Sequence, residues 1–153
     1  MRAEAFPVGE TNAVKLSPTV VRTIFLVAVA AALTAGFLAN NPTAAALAVQ
    51  HDGAALTRLM RFMALIKAGM ALAAASAVFW RLGVPARWPW LVAYGLSGVA
   101  MAAGPGLIWG MVHVGLGALL LHGGLLATIF LLWRDKAVGT RLEALLAARQ
   151  RRG

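Results

Sequence analysis

Charged residues divide this chain into long apolar runs. From Thr23 to His51 there is no Lys, Arg, Asp or Glu. The apolar stretch covers about residues 20–39 when Arg22 lays its stem along apolar surface and its guanidinium in the headgroups. That is close to the roughly 20 residues a spanning helix needs. Asn40-Asn41-Pro42 ends the run. Asn41 is placed to cap a new helix with Pro42 in its first turn, and Thr43–Gln50 reads as a short helix or surface-lying segment. A second span covers about 56–80, with Arg58 and Arg61 near its start and Lys67 inside it. Arg81 to Arg87 forms a short polar turn. From Trp88 to Trp133 formal charge is again absent, over 46 residues. One helix of that length would be roughly 69 Å long at 1.5 Å per residue, against a hydrocarbon core of about 30 Å. The run must therefore fold back. Gly and Pro are the strongest interrupters of regular structure, so Gly104-Pro105-Gly106 is the expected turn, between spans at about 89–103 and 107–133. Residues 134–153 form a charged tail, helical over Thr140–Gln150, with Leu142, Leu145 and Leu146 opposed by Arg141, Arg149 and Arg151. The pattern predicts an all-α integral membrane protein of a single domain, residues 1–153, folded as an antiparallel four-helix bundle. A basic start, an apolar core and small residues near Ala35–Ala39 also suit a signal peptide, whose removal would leave three spans. Against that, the polar leader is long and no clean A-x-A site stands out.

Composition agrees. Hydrophobic residues make up 61% and charged residues 12%, with a mean hydropathy of +0.78. This excludes a disordered chain and departs far from a soluble domain. There is no cysteine, which removes disulfides, thiolate metal sites, Fe–S clusters and cysteine nucleophiles. Fourteen Lys and Arg against five Asp and Glu give a net charge of +9. Elsewhere that would suggest nucleic acid; here position explains it. Four spans put both termini and the 81–87 turn on one side. That side collects Arg2, Lys15, Arg22, Arg81, Arg87 and every basic residue from Arg134 onward, whereas the other has Arg58 and Arg61 alone. The positive-inside rule makes the first side cytoplasmic, and the belt of Trp80, Trp88, Trp90 and Trp133 falls on the same boundary, with Trp109 on the other. Arg-over-Lys usage and the abundance of Ala, Leu and Gly fit a GC-rich bacterial genome, hence a bacterial inner membrane. The expected partners are the bilayer, anionic lipid at the basic tail and other membrane subunits in a homo- or hetero-oligomer, with no nucleic acid.

Few residues at membrane depth could carry chemistry. Lys67, His113 and His122 are functional candidates because an intramembrane ionisable group is costly unless solvated or paired. Lys67 can snorkel outward. His113 and His122 are nine residues apart on the fourth span, so they face opposite sides and cannot share one metal. Imidazole and thioether ligands suit haem iron or Cu(I). His113 with Met111 is therefore a candidate metal pair, and His113 with His51 a candidate haem pair, with Arg58, Arg61 and Lys67 available to propionates. His122 is a more remote ligand candidate. Gly106-Leu-Ile-Trp-Gly110, continued by Gly117, gives the fourth span a small-residue face for close helix packing, which makes that span the expected centre of the bundle. Neither a phosphate-binding glycine loop nor a zinc-protease motif is present, and the spans hold no carboxylate pair. The leading expectation is a non-enzymatic accessory, assembly or self-associating subunit of a membrane complex. The alternative is a b-type haem or copper protein with its site near the outer face; a weaker one is a small anion permease using Arg58, Arg61 and Lys67.

Overall fold

The computed structural model describes residues 17–150, apart from the side chains at 142, 145 and 148. Residues 1–16 and 151–153, including Arg2, Lys15, Arg151 and Arg152, lie outside that description, as do the Leu142 and Leu145 side chains of the expected apolar stripe. Within it the chain is helical, with no strand among the described residues. Helix α1 spans Pro18–Leu38, capped by Ser17, whose side chain accepts from the Val20 amide. Helix α2 spans Pro42–Arg81. Its start matches the predicted cap: Asn41 Oδ1 accepts from the amides of Thr43 at 2.9 Å and Ala44 at 3.3 Å. Gly53 breaks α2 into arms 42–52 and 54–81, with φ 79° and ψ 163°, a backbone region essentially restricted to glycine. The segment 43–50 is thus the first arm of this kinked helix.

Helix α3 spans Trp88–Trp109, α4 spans Val114–Arg134 and α5 spans Lys136–Gln150. Two sequence expectations are corrected here. The third span does not stop at residue 103, and the fourth does not begin at 107: α3 runs straight through Gly104-Pro105-Gly106 and the turn falls at Gly110–His113. In lipid, an opened backbone has no water to bond to, so a helix tolerates Pro where neighbouring helices pack around it. The flanking glycines serve those neighbours. A Cβ on Gly104 would lie 2.6 Å from the Gly117 carbonyl oxygen, and one on Gly106 would lie 2.7 Å from the Gly36 carbonyl carbon. Gly110, at an ordinary φ of −76°, makes room for the Asn40 side chain, which fills the space a Cβ would need. The left-handed position falls instead to Met111, at φ 64°.

α3, not the fourth span, is the centre. It packs against α1, α2 and α4, whereas α1 and α2 scarcely meet. Along α3 and α4 the contacts step in opposite senses: Gly104 meets Gly117, Met101 meets Gly124 and Ser97 meets Thr128. Phe25, Val78, Leu82 and Tyr94 form one apolar cluster, and Ala71, Met101 and Leu121 another. Helices α1 to α4 are each long and apolar enough to cross a membrane.

Candidate functional site

Most polar groups on the spans are satisfied by their own helix. Thr23, Thr34, Thr57 and Ser76 each donate to the carbonyl four residues earlier, which hides a hydroxyl without a partner helix. His122 behaves similarly. It is exposed on α4, with Nδ1 2.7 Å from the Ala118 carbonyl oxygen. Between helices, Thr128 donates to Ser97 Oγ at 3.1 Å, and both side chains are buried.

The proposed ligands fall on several elements. His113 is not inside a span; it is the exposed N-cap of α4, at the turn. This follows from the longer α3, which moves the helix start to Val114. His51 is exposed on the first arm of α2, 3.0 Å from Asp52. Met111 is buried at the left-handed position. Arg58 is exposed, and Arg61 stands over the Trp109 ring with its guanidinium 5.5 Å from the centroid. Lys67 is half-buried and makes no hydrogen bond or ion pair among the described residues, whose ion pairs are His51–Asp52 and Arg81–Asp135. Among those residues no three His, Asp or Glu side chains gather into a metal-binding group. Gly106 lies on the α1 backbone at Gly36 and Phe37, Gly110 on Asn40, and Gly117 on Gly104 and Ile108. These three glycines therefore face partners within the chain.

The densest polar cluster is one that the sequence did not single out. It lies where α2 and α4 end and α3 begins. Arg81 Nε donates to Asp135 Oδ2 at 2.5 Å, and the Tyr94 hydroxyl donates to the same oxygen at 3.2 Å. All three side chains are buried. The other carboxylate oxygen of Asp135 accepts from the Ala137 amide at 3.1 Å, starting α5. Two more arginines close the end of α2. Arg22 Nε donates to the Phe79 carbonyl at 3.0 Å and its Nη2 to the Trp80 carbonyl at 3.4 Å. Arg141 Nη1 donates to that Trp80 carbonyl at 3.0 Å while its guanidinium stacks on the Trp80 ring at 4.5 Å. Cations suit the negative end of a helix dipole. At the opposite end Asn40 Nδ2 donates to the carbonyls of Gly36 and Gly106, each at 3.0 Å, and Phe37 meets Trp109 edge-on. Asn40 Oδ1 is buried without a partner among the described residues.

Four apolar helices, bonded across their ends by side chains and packed on a central one, have the makeup of a multi-pass membrane protein. No family model, curated protein or solved structure matches the chain.

Proposed function

We propose that the chain is a non-enzymatic subunit of the bacterial inner membrane, an antiparallel four-span bundle with both termini cytoplasmic, acting as an accessory, assembly or self-associating component. The observation that carries this reading is the state of α2. It packs on α3 and buries Ala64, Ala71 and Val78, while Leu59, Phe62, Met63, Ile66 and Met70 are exposed. Lys67 lies at the edge between this packed stripe and the outward face, half-buried and without an acidic partner among the described residues. An intramembrane cation is retained where something solvates or pairs it, and a neighbouring subunit can supply that group. The polar side chains elsewhere on the spans support the same reading: most bond to their own helix, and Thr128 and Ser97 tie α4 to α3.

The test is native mass spectrometry of the protein extracted in patches of its own membrane. The expected result is a fixed stoichiometry with a second copy or another membrane subunit, lost in Lys67→Met. A lone chain in every patch would overturn the proposal. A Soret band or stoichiometric copper in the same preparation would return the haem or copper reading, with His113→Ala as its control.

A further inference from the structure

Arg22 of α1 and Arg141 of α5 reach the same acceptor, the Trp80 carbonyl, at 3.4 and 3.0 Å. Their guanidiniums therefore lie within two hydrogen-bond lengths of each other. A helix C-terminus carries only a partial negative charge, roughly half an elementary charge, so two full cations exceed what it can offset. Asp135 is held by Arg81 and Tyr94, and no acid pairs with Arg22 or Arg141 among the described residues. Each guanidinium has five N–H donors; Arg22 uses two of its own in these bonds and Arg141 one. Both side chains are half-buried, with donors left to reach an anion.

A second feature lies beside this pair. An apolar groove of about 210 Å³ runs between α1 and α3, lined by Val21, Phe25, Ala28, Leu82, Trp88 and Gly95. Val21 and Leu82, the chain neighbours of Arg22 and Gly83, line it together with Trp88 where α1 and α3 begin, and the Arg22 guanidinium lies against Gly83. From Val21 to Ala28 the groove extends about 10 Å into the membrane at 1.5 Å per residue. Cations beside this end and an apolar slot running along the helices match a phosphate on a hydrocarbon chain. Phosphate suits paired guanidiniums because their N–H groups are fixed in a plane and bond its oxygens two at a time.

We infer that the Arg22–Arg141 pair and the α1/α3 groove form a binding site for one acidic phospholipid, phosphate on the arginines and acyl chain along Gly95. The site rests on the membrane-spanning reading above but not on the subunit stoichiometry. Its charge sign and its position at the end where the basic residues gather fit the anionic inner leaflet.

The experiment is native mass spectrometry of the delipidated full chain in detergent, titrated with phosphatidylglycerol, with phosphatidylcholine or with inorganic phosphate. One phosphatidylglycerol per chain is expected, held about tenfold more tightly than phosphatidylcholine. Arg22→Gln and Arg141→Gln should each remove that preference, and the Lys variants, which keep the charge but not the paired N–H geometry, should keep part of it. Gly95→Leu probes the groove itself: a Cβ there meets nothing within 4 Å, and the longer side chain should fill the groove and weaken lipid binding without touching the arginines. Retention of phosphatidylglycerol unchanged in the Gln variants would overturn the inference. So would inorganic phosphate competing fully while Gly95→Leu has no effect, which would make the site one for a soluble anion. If a Gln variant loses its helical signal, the Lys and Gly95→Leu variants decide. A failure here leaves the copy number in native membrane unaffected, so the two proposals fall separately.

Discussion

Removing one partner of the Arg81–Asp135 pair leaves the other charged and buried, and this asymmetry sets the expected loss. Asp135→Asn keeps the shape but abandons Arg81, which is 4% exposed, and should lower stability by about 3–5 kcal/mol. Tyr94→Phe removes only a second donor to a carboxylate that Arg81 still satisfies, so about 1.5 kcal/mol is expected. Unfolding of the purified protein in detergent measures both; equal small losses would mean that the pair is solvated rather than buried. This cluster was not legible in the sequence. Asp135 stands between Arg134 and Lys136, so it reads as part of a solvated charged tail, and Arg81 reads as a topological charge. The available signal was positional: an Asp directly after the last apolar turn and before a new helix is an N-cap candidate. The histidines show the opposite limit. Their residue types suggested ligands, but a ligand set depends on where loops end, and one turn displaced by a few residues moved His113 from a span to a helix cap.

Glycines separate the elements into faces that touch and faces that do not. At Gly106 and Gly117 an added Cβ would meet backbone of another helix at 2.7 Å, so Gly106→Ala or Gly117→Ala must push two helices apart and should cost about 1–3 kcal/mol. At Gly69, Gly95 and Gly123 a Cβ meets nothing within 4 Å. Alanine there should raise stability by about 0.5–1 kcal/mol through helix propensity. Thermal unfolding of the five variants tests the packing helix by helix; a uniform response would refute the assignment of contacting faces. The number of spans and the start of α2 at Asn41-Pro42 were readable because capping chemistry is local. The end of α3 was not. Gly-Pro-Gly breaks a helix in water, but here Gly104 and Gly106 admit α4 and α1 on either side of an unbroken helix. Nothing at Met111 announced the left-handed residue, since the glycine beside it serves the Asn40 contact and keeps helical backbone.

For the whole molecule, the apolar fraction and the distribution of charge both argue for a bundle in the membrane, and the charge also proposes its direction. The structure changes the standing of that charge. Arg22, Arg81 and Arg141, counted first as topological signals, also close the end of α2 and tie it to α1, α4 and α5. Arg58 and Arg61 stay at the other end, exposed. The most direct test is cysteine accessibility in intact cells, which the absence of native cysteine makes clean. Single cysteines are placed at Gln50, His113, Pro85 and Gly139, all exposed. A membrane-impermeant maleimide should label Gln50→Cys and His113→Cys in intact cells, and Pro85→Cys and Gly139→Cys only after permeabilisation. Labelling of Pro85→Cys and Gly139→Cys in intact cells with protection of the other two, or labelling of all four, would contradict the four-span fold with cytoplasmic termini.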